Sequence, residues 1–286
     1  MFSYRHAFHA GNHADVLKHV VWISVLQRLM QKDKGLLVLD THAGAGVYAL
    51  NSEAASTSGE AASGVGALTD ADGAPACLQA YLQVLQAFNA SPKQRHYPGS
   101  PALSAHLLRP QDQLHAFEVH PTDQRQLRQW AQAHDKASQI HMHRADGFAG
   151  TKALLPPPTR RGALLCDPSY ELKSDYAHVV QWLQDGLQRF ATGVYAIWVP
   201  QVARTEAHEL PRRLRATAQK ADKPWLHALL QVRGHQSRAP GGGLSGSSMF
   251  VVNPTFELFE QLQGLLPYLV RALGQDAQAR FELHRG

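Results

Sequence analysis

Short apolar runs alternate with amphipathic stretches along most of the chain. The apolar runs predict β-strands at residues 36–40, 114–120, 139–146, 163–170, 193–200, 226–232 and 248–253. Apolar positions at three- and four-residue spacing predict helices at 12–32, 121–134, 148–155, 174–190, 201–220 and 255–273. Because strands and helices alternate, we expect an α/β fold built on one sheet of about seven strands.

The last two predicted strands are joined differently from the others. Residues 238–243 between them read Arg-Ala-Pro-Gly-Gly-Gly, a flexible connection without a crossover helix. We therefore expect these two strands to pair antiparallel, since parallel neighbours need a long crossover. Five parallel strands closed by such a pair are typical of the Rossmann-like sheet of class I S-adenosylmethionine-dependent methyltransferases.

The interval between residues 51 and 95 interrupts the alternation. Its first part is small, polar and rich in glycine, whereas residues 78–88 carry Leu78, Leu82, Leu85 and Phe88 at helical spacing. We predict an inserted helical subdomain at 51–95, and a methyltransferase domain formed by residues 1–50 and 96–286.

Composition restricts the class of protein. With 286 residues and 44% hydrophobic content, the chain can bury one sizeable core. Its apolar stretches are far shorter than the roughly 18 residues that suggest a membrane span, and charged residues stand where a signal peptide needs an apolar block. Cys77 and Cys166 are the two cysteines, too few for a disulfide framework. We expect a cytoplasmic protein that does not bind membranes.

Positive charge is concentrated in one segment. The formal net charge is +5, and residues 201–240 alone hold eight Lys/Arg against three Asp/Glu. Basic surfaces of this kind bind nucleic-acid phosphates. Arg212 and Arg213 are our candidate RNA contacts, and an ordinary solvated helix face is the alternative.

Carboxylates lie at the ends of four successive predicted strands, at Asp40, Glu118, Asp146 and Asp167. The carboxyl ends of parallel strands share one edge of the sheet, where open α/β folds bind ligands. Glu118 can accept both hydroxyls of a ribose, and Asp146 can accept the amino group of an adenine. Considered alone, Glu118 could be an exposed charge at the end of a strand, and Asp146 could be a helix N-cap.

A glycine turn follows the first strand. Residues 40–46 read Asp-Thr-His-Ala-Gly-Ala-Gly, in which Gly44 allows close approach of the backbone to a ligand. Residues 44–49 also fit the dinucleotide pattern Gly-x-Gly-x-x-Ala, but the acidic residue expected about 20 positions later is displaced by the insertion. A nicotinamide oxidoreductase would use this turn but leaves residues 167–170 unexplained.

Residues 167–170 read Asp-Pro-Ser-Tyr and place a carboxylate, a rigid carbonyl and an aromatic ring together. An adenine 6-amino group is a poor nucleophile, because its lone pair is shared with the ring. Hydrogen bonds to Asp167 and to the Pro168 carbonyl would orient it toward a methyl donor, and Tyr170 would stack on the base.

Five motifs together resemble the RlmJ family of bacterial 23S ribosomal RNA adenine N(6)-methyltransferases. They lie at residues 4–19, 40–46, 97–101, 144–148 and 167–170. The resemblance implies S-adenosylmethionine as cofactor and free or early-assembly 23S rRNA as partner, with Asp167 catalytic and Tyr4 touching RNA. It implies cofactor contacts from His19, His42, Ser100, Glu118, Asp146 and Gly147. We add Lys18, Gly44 and Asp167 as candidate cofactor contacts. The family pattern has a second proline where this chain has Ser169, which we expect to loosen the turn.

Three alternatives remain open at this point. A DNA adenine methyltransferase would use the same tetrapeptide, and a non-catalytic nucleic-acid-binding protein linked to the use of external DNA would explain the charge and tolerate Ser169. A metal site is suggested by the seventeen histidines, with His6, His9 and His13 at helical spacing and His141 and His143 alternating on a strand. We expect no metal, because neither group has a carboxylate or thiol that completes a ligand set.

Overall fold

A computed structural model describes residues 6–52, 59–68, 73–89, 95–234 and 244–286. The strands are β1 Leu37–Asp40, β2 Val47–Ala49, β3 His96–Pro98, β4 Gln113–Phe117, β5 Ile140–His143, β6 Gly162–Cys166, β7 Val194–Gln201, β8 Trp225–Gln231, β9 Gly246–Val252 and β10 Arg280–Arg285. The helices are α1 His13–Met30, α2 Glu60–Ser63, α3 Ala76–Ala87, α4 Ser100–Leu107, α5 Pro121–Ala133, α6 Gly147–Gly150, α7 Lys173–Arg189, α8 Thr205–Lys220 and α9 Leu258–Leu273.

The main sheet has the strand order β10-β8-β9-β7-β6-β1-β4-β5. Strands β5, β4, β1, β6 and β7 are parallel, and β9 pairs antiparallel with both β7 and β8. The predicted class I methyltransferase arrangement is confirmed, including the antiparallel pairing of the last two predicted strands. The sheet has eight strands rather than seven, because β10 pairs antiparallel with β8. This strand is mostly exposed and charged, so it carries no apolar run that a pattern search detects.

The helix predictions hold, with local corrections. Residues 148–155 form the short α6 and a 3-10 turn at Thr151–Leu154 instead of one helix, and α8 begins only at Thr205, since β7 extends to Gln201. His6, His9 and His13 do not share a helix, because the Asn12 side chain accepts from the amides of residues 14 and 15 and caps α1 there. Among the helices of the described ranges, none combines the length and apolar content of a membrane span.

Helix α1 is buried on all sides along most of its length. Residues 13–26 are all buried, including the polar ones. A helix that is apolar around its whole circumference must be covered on every face. Helix α1 meets β9 on one side, and α3, α4 and α9 cover the rest. The helix can therefore hold Lys18 and His19 rigidly beside the sheet.

The interval between residues 51 and 95 contributes α2, a 3-10 turn at Val65–Leu68 and α3 in its described parts. The helical spacing noted at residues 78–88 falls on α3, whose Leu78 and Leu85 are buried. Helix α3 packs on α1 and α9 and shares their apolar core. The division into a methyltransferase domain and an inserted subdomain stays a prediction.

Candidate functional site

A cavity of about 380 Å³ opens at the carboxyl ends of β1, β4, β5 and β6. This volume is typical of a site for a small molecule. Most of the residues that the sequence predicts for the site lie on its wall: Lys18, His19, His42, Gly44, Ser100, Glu118, Asp146, Asp167 and Pro168.

The glycine turn after β1 forms one side of the cavity. Gly44 has a φ of +61°, and a Cβ atom there would lie 2.1 Å from the Tyr48 hydroxyl. A residue with a side chain would be strained in its backbone and blocked by this hydroxyl. The turn leaves the Gly44 amide free to contact Glu118, the residue after β4.

Glu118 is held by two backbone amides. The Gly44 N–H donates to Oε2 at 2.8 Å, and the His120 N–H donates to Oε1 at 2.7 Å. Burial raises the pKa of Glu118 against the opposing effect of these two hydrogen bonds. Each carboxylate oxygen retains a second lone pair for a ligand hydroxyl.

Asp40 lies behind the wall and supports it. The carboxylate is fully buried, and Ser100 Oγ donates to Oδ2 at 2.6 Å. Burial raises the pKa of Asp40 to about 6. The hydrogen bond fixes the first residue of α4, so that Ser100 stays on the cavity wall.

Asp167 is paired with a buried lysine. Lys18 Nζ lies 2.5 Å from Asp167 Oδ2 and 2.9 Å from Asp15 Oδ1. Burial opposes the charge on Lys18, but the Asp15 and Asp167 carboxylates outweigh it and raise the pKa of Lys18. His6 Nε2 lies 3.0 Å from Asp15 Oδ2, which places His6 on the same wall. Asp15 and His6 were absent from the predicted site residues, although both lie within the N-terminal motif.

His19 presents an unused ring nitrogen. Its Nδ1 lies 2.7 Å from the Tyr97 hydroxyl, which lies 3.0 Å from that of Tyr81. Nε2 is buried and makes no hydrogen bond within the described residues. Burial lowers the pKa of His19 to about 3, so the ring is neutral near pH 7. A buried polar atom without a partner on a cavity wall indicates a ligand contact.

Asp146 and the rings of His42 and Phe148 line another part of the cavity wall. Asp146 Oδ1 accepts from the Phe148 amide at 3.0 Å and caps α6, as the alternative interpretation predicted. The same residue lines the cavity. The His42 and Phe148 rings meet edge to face with centroids 4.9 Å apart, which leaves a partly apolar surface beside the carboxylate.

Three comparisons with known proteins point to one family. The family model described as "Ribosomal RNA large subunit methyltransferase D, RlmJ" matches residues 33–284. The chain is 45% identical to ribosomal RNA large subunit methyltransferase J of Escherichia coli, over 94% of this chain and 93% of that protein. The chain belongs to the RlmJ family. Its relative of the same name in Haemophilus influenzae is 42% identical, over 96% of this chain and 94% of that protein.

A solved structure agrees with this family assignment. A protein of Legionella pneumophila superposes with a TM-score of 0.87 at 28% identity, covering 97% of this chain and 98% of that one. The predicted resemblance is thus confirmed, and the protein is a ribosomal RNA methyltransferase.

Four of the predicted site residues do not line the cavity. Gly147 lies behind it, where a Cβ would be 2.1 Å from the Thr41 carbonyl oxygen. Arg212 is exposed and Arg213 half-buried on α8, away from the wall. Tyr170 is 3% exposed, and its hydroxyl donates to the Trp198 carbonyl at 2.7 Å. Stacking of Tyr170 on a base would need the ring to move. Tyr4 lies outside the described residues.

The loop that carries Asp167 is anchored by the Trp198 carbonyl of β7 and by Arg204, the residue before α8. Tyr170 has a φ of +54°, a conformation uncommon for a residue with a side chain. Arg204 Nη1 donates to the Tyr170 carbonyl at 2.9 Å and to the Glu171 carbonyl at 3.4 Å. Arg204 was counted with the basic segment, but its guanidinium contacts the loop that carries Asp167.

Histidines outside the cavity form a stack on β4 and β5. The rings of His115 and His143 are 5.1 Å apart, with His141 4.5 Å from His115. Within the described ranges, no three histidine, cysteine or acidic side chains converge as a metal site. That the protein requires no metal stays a prediction.

Proposed function

We propose that the protein transfers a methyl group from S-adenosylmethionine to the 6-amino group of an adenine in 23S ribosomal RNA. The observation that carries this proposal is that Asp167 and Pro168, suited to an amino group, share a cavity wall with Glu118, suited to a ribose. The relatives named as ribosomal RNA methyltransferases support the RNA substrate.

The cavity fits the proposed cofactor. The Glu118 carboxylate is fixed by two amides and keeps acceptor capacity for ribose hydroxyls. Gly44 leaves room where a Cβ would be blocked, and His19 Nε2 offers an unpartnered buried nitrogen. Asp146, beside the Phe148 ring, can accept from the adenine amino group. We assign these residues, with His42 and Ser100, to cofactor binding.

Bound S-adenosylmethionine supplies the methyl group as an electrophilic sulfonium. The chain's own contribution is to orient the acceptor nitrogen. One N–H of the amino group donates to Asp167 Oδ1, and the other N–H donates to the Pro168 carbonyl. Asp167 Oδ1 makes no other hydrogen bond within the described residues, since Lys18 contacts Oδ2. The nitrogen would form a bond to the methyl carbon as the bond from that carbon to sulfur breaks and its electron pair stays on sulfur. Asp167 would accept the proton that the nitrogen loses.

Lys18 fixes the carboxylate for this task. Its contact with Asp167 Oδ2 orients the group, so that Oδ1 is the oxygen left for the base. Lys18 keeps its own proton, since its pKa is raised. It therefore acts as a fixed cation and not as a proton acceptor.

The target base must leave its stack to reach Asp167, because the carboxylate is only 15% exposed. Free or early-assembly 23S rRNA is the substrate form in which such a base is accessible, and the cytoplasm is where it occurs. Tyr4, Arg212 and Arg213 are our candidate RNA contacts, the arginines through phosphates.

The test is methyl transfer from labelled S-adenosylmethionine to three substrates: unmodified 23S rRNA, the same rRNA within ribosomes, and adenine-containing duplex DNA. We expect label in N(6)-methyladenosine of free rRNA. Label in DNA alone would replace the proposal with a DNA methyltransferase. No transfer to any substrate, with the cofactor bound, would favour a non-catalytic binding protein.

A further inference from the structure

Glu60 belongs to the inserted interval but contacts the N-terminal segment. His9 Nδ1 lies 3.0 Å from both of its carboxylate oxygens, and Asn12 Nδ2 donates to Oε2 at 2.9 Å. These contacts join residues 51 and 48 positions apart in sequence. Glu60 lies outside the cavity wall, so it has no direct contact with a ligand there.

Main-chain contacts join the same two segments, the N-terminal segment at residues 9–12 and the inserted interval. The Val65 amide donates to the Gly11 carbonyl at 2.8 Å. A Cβ on Gly64 would lie 2.1 Å from the Gly11 oxygen, so the two segments approach as closely as glycine permits. Residues 9–12 are therefore held by both main chain and side chain of the interval.

From this segment, a series of polar contacts leads to Asp167. The Gly11 amide donates to Asp15 Oδ2 at 2.8 Å, and the other Asp15 oxygen pairs with Lys18. His6 contacts Asp15 and lines the cavity. Displacing residues 9–12 would thus disturb His6 and Asp15, and through Lys18 the carboxylate that we propose accepts the amino proton.

We propose that Glu60 is a positioning residue for methyl transfer, which holds the N-terminal segment on the cavity wall through His9 and Asn12. The proposal rests on the proposed function for its reaction. It assigns a role in catalysis to the inserted interval, which has no residue on the cavity wall among its described parts.

The pKa shifts of His9 and Glu60 favour an ion pair between the two segments. The hydrogen bond to Glu60 raises the pKa of His9 against burial. Burial raises the pKa of Glu60, but His9 and Asn12 outweigh it and lower the value. The other titratable groups that face the pair are His13, whose pKa burial lowers to about 4, and Asp15. The pair is ionic between the pKa of Glu60 and that of His9. Above the pKa of His9, a neutral imidazole faces the Glu60 carboxylate, which keeps its charge.

The experiment compares Glu60→Ala and Glu60→Gln with Glu260→Gln, a control that removes an exposed carboxylate paired with Arg285 elsewhere. We expect Glu60→Ala to lower the methyl-transfer rate about tenfold, the loss expected for one charge-assisted hydrogen bond. Amide hydrogen exchange of residues 6–12 should accelerate, while the dissociation constant of S-adenosylmethionine stays unchanged. Wild-type rate and exchange in Glu60→Ala would overturn the proposal.

The pH profile separates positioning from simple loss of stability. Glu60→Gln keeps an acceptor but removes the charge, so the ratio of wild-type to variant rate should be largest below the pKa of His9 and should decline as pH rises through it. A ratio independent of pH would overturn the role of the ion pair. If the wild type transfers no methyl group, the proposed function fails, and hydrogen exchange alone still decides whether Glu60 holds residues 6–12.

Discussion

Lys18 is a buried cation in contact with two carboxylates, Asp15 and Asp167. Taken together, these three groups carry a net negative charge beside the cavity. A buried charge of this kind is stable only when it is paired. The contact with Lys18 thus holds the Asp167 carboxylate in one orientation beside the cavity.

We expect Asp167→Asn to keep the fold and cofactor affinity but to lower the methyl-transfer rate by about a hundredfold or more. The carboxamide has nearly the same shape but cannot accept the amino proton. Single-turnover kinetics with calorimetry of cofactor binding measures both quantities. Asp135→Asn, which removes a carboxylate that is 82% exposed and lies outside the cavity wall, is the control and should stay near the wild-type rate. A wild-type rate in Asp167→Asn would remove this residue from the chemistry.

Glu118→Gln should weaken cofactor binding and leave the rate at saturating cofactor nearly unchanged. The amide nitrogen of Gln would face a backbone N–H of Gly44 or His120, so one hydrogen bond to a charged acceptor is lost. We expect the dissociation constant to rise about ten- to a hundredfold. Calorimetry measures it directly, and an unchanged constant would exclude Glu118 from the cofactor site.

Ser169→Pro should leave the methylation rate unchanged or raise it. Ser169 is exposed, and it makes no hydrogen bond within the described residues, so the variant removes no donor that the loop uses. A proline would stiffen the turn if its present φ is compatible with a pyrrolidine ring. Loss of activity in a folded variant would show that Ser169 has acquired a role of its own.

At the scale of elements, the seven strands with apolar runs were predictable because their signal is local, whereas β2, β3 and β10 carry no such run. Asp40, Glu118, Asp146 and Asp167 follow apolar runs, and parallel strands bring such ends to one edge. The direction of the Tyr170 ring was not predictable, since it depends on a positive φ and on the Trp198 carbonyl, 28 positions away. Local periodicity predicts neither the positive φ of Tyr170 nor its contact with the Trp198 carbonyl.

The arginines on and just before helix α8 show that charge composition does not predict which contacts each residue makes. Arg204, Arg212 and Arg213 contribute equally to the basic composition, but Arg204 donates to the loop after β6 while Arg212 is exposed. Composition predicted a phosphate-binding segment without distinguishing these tasks. RNA binding should therefore depend on the exposed face of α8 and not on Arg204, which immediately precedes the helix.

The double variant Arg212→Ala with Arg213→Ala should weaken RNA binding uniformly across sequences. If both side chains contact phosphates, the slope of log affinity against log salt should flatten by about 1.4 to 1.8. Cofactor affinity should not change. Arg125→Ala with Arg128→Ala removes two exposed arginines from α5 and serves as the control. Equal slopes for the α8 variant and wild type would mean that these arginines only solvate the helix.

At the scale of the whole molecule, the site is assembled from segments far apart in sequence. Lys18 and Asp167 are separated by 149 positions, and Gly44 and Glu118 by 74. No pattern along the chain predicts such pairs. The resemblance to the family indicated that Lys18 lies near the cofactor, but the contact with Asp167 required the sheet and α1 to be placed together.

A cofactor that bridges these segments should stabilise the whole fold, because it binds the assembled site and not the unfolded chain. At S-adenosylmethionine concentrations about a hundredfold above the dissociation constant, the stabilisation is about 2.7 kcal/mol. For a chain of this size, that raises the melting temperature by about 5 °C or more. NAD should produce no shift, and Glu118→Gln should need more cofactor for the same shift. Scanning calorimetry measures all three. A shift with NAD but not with S-adenosylmethionine would mean that the glycine turn after β1 binds a dinucleotide, and that the cavity serves a different chemistry.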